Sequence, residues 1–323
     1  MIGRIIKAAV WQPFSLYCRW SPIIPFVAAK ISTVEGVTCI RIDNFVTRAL
    51  GRLAGGYEYS VSYLVDDSLL IDTGFPWARR CLKRTLASMG SDKTITKVVN
   101  THYHEDHTGN NDLLLEVASC EILAHPLALS EIRFPSNVAW YRSFLFGPVR
   151  GVEVKPIPDA IETDRFRFEV HHLPGHCPGH ICLFEPKMRW LFAGDLYIAA
   201  DLDAQLQDAN GPEWIASLDR AIELEAECMF DAHGAIVTSA SEVRRLLESK
   251  RDFLCALRDR IIREAEHAHS VRELTRRVFD KRTLVNTLSL GEGWLSLITG
   301  SDFSRSHLVK TFLQEQTQDS CHD

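Results

Sequence analysis

Short apolar runs rich in Val, Ile and Leu recur through the first 240 residues, and most stop at Gly, Pro or Asp. Runs of that kind read as buried strands. They predict strands over 37–42, 60–65 and 68–71, with the Asp66-Asp67 pair as a hairpin turn. Further strands are expected near 95–99, 120–124, 152–156, 166–172, 181–185 and 190–193. Between them the apolar period lengthens to that of helices. Pro76 stands at the first position of a helix running to about Met89, a second opens at Asp106, and a third covers 211–225. Such alternation predicts an α/β fold with two sheets face to face and helices outside.

Past Ser241 the pattern changes. Val243, Leu246, Leu247, Phe253, Leu254, Leu257 and Ile261 fall near helical spacing over 242–268, Ser270 caps another helix, and 303–315 reads as a last one. The expected division is an arm at 1–35, a main domain at 36–240 and a helical region at 241–323. Residues 126–150 interrupt the order with aromatics and arginines of no clean period. They read either as a cover for a cleft, with Arg133 or Arg142 holding an anionic group, or as a surface excursion packed by its own aromatics.

With 46% apolar residues in 323, the chain can bury a large core. A net charge of −6 gives no general attraction to nucleic acid, and acids alternate with bases over 241–282. Nine cysteines, odd in number and without a CxxC pair, fit free thiols in a reducing cytoplasm better than a disulfide framework. The first thirty residues carry Arg4, Lys7, Arg19 and Lys30 with five Trp, Phe or Tyr and no acid. Lys7, Gln12 and Pro13 cut the apolar run short of a membrane span. An arm packed on the domain and an anchor at a membrane surface both fit this composition.

The strongest chemical signal is Asn-Thr-His-Tyr-His-Glu-Asp-His-Thr-Gly, which crowds His102, His104, Asp106 and His107 together. Imidazole is the commonest ligand of zinc-like metals, and carboxylate accompanies it where a catalytic site stays partly open. On a strand-to-helix loop, His102 and His104 project together from extended backbone, and Asp106 and His107 leave on the first helical turn. That geometry suits two adjacent metals. More donors end other strands: His176 and His180 in Leu-Pro-Gly-His-Cys-Pro-Gly-His, Asp195 in Leu-Phe-Ala-Gly-Asp, and His233 in Asp-Ala-His-Gly. Cys177 reads as a small side chain in a tight turn, and His125 as structural.

In this order the motifs resemble the metallo-β-lactamase superfamily of binuclear metallohydrolases over residues 60–235. The likeness is greatest to the glyoxalase II-like branch with a helical C-terminal extension. The resemblance implies a four-layer αββα sandwich with a small helical C-terminal region. It implies one divalent ion on His102, His104 and His176, a second on Asp106, His107 and His233, and Asp195 bridging them. Asp72 and His180 would orient ligands from outside, and Asp72 also fits a plain turn residue. The donors suit Zn²⁺, with iron and manganese also accepted. A hydroxide bridging the ions would attack the substrate, and Asp106 could carry a proton to the leaving atom.

The commonest β-lactam-hydrolysing class of that superfamily carries Cys where this chain has Asp195. Two aspartates therefore favour its thioesterase, lactonase, phosphodiesterase and nuclease branches. The expected function is cleavage of a small acyl substrate, a thioester or a lactone. Tyr197, Tyr141 and Arg142 are candidate substrate contacts. The alternative is a metal-dependent phosphodiesterase or endoribonuclease, which the C-terminal likeness supports and the charge balance opposes. β-Lactam hydrolysis and a non-catalytic binding role rank lower, the latter because no ligand is missing. A cytoplasmic location is expected, with peripheral membrane contact through residues 1–30 and a homodimer both compatible.

Overall fold

The computed structural model describes residues 16–18, 27–45, 47–48, 58–90, 94–135, 138–233, 236–279 and 299–319. Most of the expected N-terminal arm, 1–15 and 19–26, lies outside them. The described residues form two large sheets and a two-stranded one. In the first, β1 (Leu16–Cys18), β2 (Val27–Val34), β3 (Val37–Asp43), β4 (Ser60–Val65) and β5 (Leu69–Ile71) run antiparallel in chain order. After them β6 (Lys97–Val99), β7 (Glu121–Ala124) and β8 (Lys155–Pro156) continue parallel. Strand β2 falls in the stretch that its composition assigned to the arm. Its full register against β3 makes it part of the sheet.

The second sheet holds β9 (Ala160–Glu162), β10 (Arg167–His172), β11 (Ile181–Glu185) and β12 (Trp190–Gly194). The chain then leaves it for β13 (Gln205–Leu206) and returns as β14 (Cys228–Asp231), parallel to β12, and β15 (Ile236–Val237). Strand β13 pairs with β16 (Phe303–Ser304), near the far end of the chain.

Helices cover both outer faces. Leu82 and Leu86 of α1 (Arg79–Met89) pack on Ile40, Ile42, Leu64 and Leu70 of the first sheet. The helix expected from Asp106 is broken into α2 (Glu105–Thr108) and α3 (Asn111–Val117). At the break, a side chain on Gly109 would run into Pro76. The aromatic insertion forms α4 (Leu129–Arg133) and α5 (Trp140–Phe146). On the other face α6 (Gly211–Glu223), α7 (Ala240–Ala265), α8 (Val271–Val278) and α9 (Ser306–Asp319) share a core with Leu191, Ala193 and Met229. A third core of Tyr63, Phe168, Phe192 and Phe230 joins the two sheets. The layers are thus αββα. Strand β12 is buried on both faces, which is why its sequence reads as an unbroken run.

Several basic residues of the helical region are committed locally. Arg244–Glu248, Arg245–Glu242 and Arg277–Glu273 are ion pairs within one helical turn, and Arg251 reaches Asp219. Among the described residues no helix is long and apolar enough to cross a membrane. Parallel strands set up the site. The carboxyl ends of β5 and β6 in one sheet, and of β12 and β14 in the other, reach one rim, where open α/β sheets bind ligands.

Candidate metal centre

Asp72, just past β5, takes a left-handed backbone with φ of 59°. Its carboxylate accepts the Thr101 N–H at 2.8 Å and the Thr101 hydroxyl at 2.8 Å, which fixes the start of the histidine loop after β6. Its Oδ2 also lies 2.9 Å from His107 Nδ1. A carboxylate there accepts a hydrogen bond from Nδ1–H and leaves the Nε2 lone pair for a metal. His233, past β14, is held the same way, with Nδ1 against Tyr59 O at 2.7 Å.

The ring nitrogens gather in two sets. His104 Nδ1 lies 3.0 Å from His102 Nε2 and 3.0 Å from His176 Nε2. Opposite them, His107 Nε2 lies 3.7 Å from Asp106 Oδ1, and His233 Nε2 lies 3.4 Å from Asp106 Oδ2. Asp195 stands between the sets. Its Oδ2 is 3.3 Å from His176 Nε2, while its Oδ1 is 3.3 Å from His107 Nε2 and 3.2 Å from His233 Nε2. The structure therefore brings together every residue that the sequence nominated as a ligand, all of them buried.

The arrangement fits cations. His107 Nε2 and Asp195 Oδ1 are buried and face each other without a hydrogen bond, a costly state for polar atoms unless an ion joins them. Histidine and carboxylate are the donors that zinc, iron and manganese accept. Electrostatics agree. Burial alone would strip His107 of charge, but Asp195, Asp106 and Asp72 outweigh it and push its pKa up to about 10. His233 rises to about 9 against the same burial, chiefly through Asp195. Asp195 itself falls well below the carboxylate range, because His233, His107 and His176 overcome its burial. His102 and His176, among other imidazoles, are pushed down, mostly by burial.

His180 is arranged otherwise. Its Nδ1 lies 3.0 Å from Leu173 O, and its Nε2 accepts the Asp195 N–H at 3.0 Å. Both nitrogens are used, and burial lowers its pKa to about 4. It orients the backbone of Asp195.

The nominated substrate contacts stand differently. Arg142 is not a free handle for an anion: it grips both oxygens of Glu105 and approaches Asp302 at 3.8 Å. Tyr141 donates its hydroxyl to Asp302 Oδ2 at 2.7 Å. An aromatic-flanked arginine looked available because its partners lie far away in sequence. Arg133 pairs with Glu153 at 3.2 Å and donates to Val154 O. Tyr197 packs half-buried against the core under α6 and α7. His125 stacks on His172 with ring centroids 4.0 Å apart. Cys177 is buried, and that burial pushes its thiol well above its ordinary pKa.

Sequence reasoning missed Asp208. Its Oδ2 lies 3.1 Å from His104 Nε2 and accepts the Tyr103 hydroxyl, so it fixes the ring whose Nδ1 joins the first set. It missed Asp231 too, whose carboxylate accepts the N–H groups of His233 at 2.8 Å and Ile198 at 3.0 Å. Trp214 donates to Leu196 O at 2.8 Å and packs edge-on against His176, and Lys250 Nζ sits 4.8 Å from its ring centroid. Asp231 opens the Asp-Ala-His-Gly motif, while no motif marks Asp208, Trp214 or Lys250.

A family model described as the metallo-beta-lactamase superfamily matches residues 55–233. An atrochrysone carboxyl ACP thioesterase of Claviceps purpurea is 26% identical over 225 residues, 65% of this chain and 63% of that one. The acyl-coenzyme A thioesterase MBLAC2 of Gallus gallus is 31% identical over 139 residues, 39% of this chain and 50% of that one. The chain thus spans between half and two thirds of these relatives. A beta-lactamase domain protein from Burkholderia ambifaria superposes with a TM-score of 0.62 at 19% identity, over 88% of each chain, and so shares the fold.

Proposed function

Since this chain belongs to the metallo-β-lactamase superfamily, we propose that it is a hydrolase of an acyl thioester that works with two divalent ions. The observation that carries the reading is the Asp195 carboxylate, with one oxygen turned to each donor set. His102, His104 and His176 would hold one ion and Asp106, His107 and His233 the other. Bound there, such ions supply Lewis acidity, which lowers the pKa of coordinated water toward neutrality and polarises a substrate carbonyl.

The remaining work falls to the protein. Asp72, Asp208 and Tyr59 hold imidazole rings in the needed tautomer, and His180 holds Asp195. The Asp106 carboxylate, more open to solvent than Asp195, is the group placed to pass a proton to a leaving thiolate. Two matched relatives are named as thioesterases, one for an acyl carrier protein and one for acyl-coenzyme A, which is why a thioester is preferred to a lactone. Free cysteines among the described residues fit a cytoplasmic enzyme.

The test is metal analysis of the purified protein beside a panel of an acyl thioester, an acyl lactone, a phosphodiester and a β-lactam. About two metals per chain and fastest turnover of the thioester are expected. Preference for the phosphodiester would replace the reading with a nuclease one.

A further inference from the structure

The chain leaves β12 through a turn that carries the shared carboxylate of Asp195, and one residue of that turn is strained. Ile198, three residues on, has φ of 55°. Among the described residues that adopt a left-handed backbone without being glycine, it alone is branched at Cβ. Branching makes that conformation costly, and it persists only where the surroundings hold it. Two things hold it here. The side chain is buried in the core under α6 and α7, and the N–H donates to Asp231 Oδ2 at 3.0 Å.

Side chains grip the backbone of this turn at three points. His180 Nε2 accepts the Asp195 N–H, Trp214 Nε1 donates to Leu196 O, and Asp231 takes the Ile198 N–H. Of the three, Asp231 alone also hydrogen-bonds the backbone of a residue in the second donor set. Its Oδ1 accepts the His233 N–H at 2.8 Å. One carboxylate therefore spans the turn of the shared ligand and the start of the His233 loop. Asp231 is itself anchored, since it ends β14 in register with Gly194 of β12, and the Tyr63 hydroxyl donates to its carbonyl. It is fully buried, and away from water a hydrogen bond fixes geometry more firmly than at a surface.

We propose that Asp231 is a positioning residue for the second ion. Its carboxylate clamps the strained turn at Ile198 to the backbone of His233, and so keeps Asp195 Oδ1 and His233 Nε2 at the 3.2 Å across which one cation can join them. Without the clamp the turn relaxes at Ile198 and Asp195 draws away from His233. The second set then opens, while His102, His104 and His176 stay together. The inference rests on the two-ion reading of the site, and not on which bond is cleaved.

The test is zinc titration of the metal-free full chain against a chelating dye, with circular dichroism to confirm that each variant is folded. Asp106→Ala, which removes a donor of the second set alone, marks which binding step belongs to that set. Asp231→Asn should weaken that step by about tenfold or more, in the range expected for an outer partner of a ligand, and leave the other step nearly unchanged. Ile198→Gly removes the strain that the clamp opposes, so in that background the same Asp231→Asn change should cost several-fold less. Equal weakening of both steps, or none, would overturn the proposal. So would a cost of Asp231→Asn that is the same with and without Ile198→Gly, since Asp231 would then act through His233 alone. If Ile198→Gly does not fold, the split between the two steps in Asp231→Asn decides. Wild type holding fewer than two ions would remove the two-ion reading itself, and the clamp with it.

Discussion

Asp208 and His104 stand 104 residues apart in sequence and 3.1 Å apart in space, Oδ2 to Nε2. The same carboxylate accepts the hydroxyl of Tyr103. His104 thereby presents Nδ1, and only Nδ1, to His102 and His176. Replacing Asp208 by Ala should weaken metal binding by roughly 10–100-fold, the usual cost of losing an outer partner of a ligand. Competition against a chelating dye measures this. Unchanged affinity would remove Asp208 from the account of the site.

Asp195→Ala strikes the carboxylate shared by both sets. It should abolish turnover and release at least one metal per chain. Elemental analysis of the folded variant reads the second effect directly, and full retention of metal would contradict the bridging role.

Gly175 immediately precedes His176 and has φ of 130°, a conformation rare for other residues. A Cβ there would press into the backbone of Trp214. Gly175→Ala should therefore destabilise the protein by about 3 kcal/mol through overpacking and strain. Denaturant unfolding provides the number, and a loss well under 1 kcal/mol would show that α6 shifts freely.

Lys250 is buried, donates to Ala199 O at 2.9 Å, and is pushed down to about 7 by that burial against the pull of Asp201, Asp203 and Asp231. Its folded pKa lies below the unfolded one, so the unfolded chain binds more protons between about pH 7 and pH 10.5. Stability from this group rises with pH across that window. The melting temperature of wild type relative to Lys250→Met should accordingly improve from pH 7 to pH 10. A pH-independent difference would mean that Lys250 keeps its ordinary pKa.

The ligands were legible because each closes a strand in a short polar motif, and chemistry packed that tightly leaves a local mark. The layers were legible for a related reason: strands buried on both faces, like β12, are apolar throughout. Asp208 left no mark, since a lone Asp between Gln207 and Ala209 looks like any loop acid and its partner is remote. Arg142 misled for the same reason. Its carboxylate, Glu105, occupies a position of the histidine motif that reads as filler. Strand β2 was hidden by its basic and aromatic surroundings, although Val27 and Ala29 already alternate toward the core.

The candidate ligands are all in hand once residue 233 has been made, but the wall around them is not. Strand β13, which leads to Asp208, finds its partner only at Phe303–Ser304, and Tyr141 waits 161 residues for Asp302. Residues 302–304 thus brace both the strand before Asp208 and helix α5 from far along the chain.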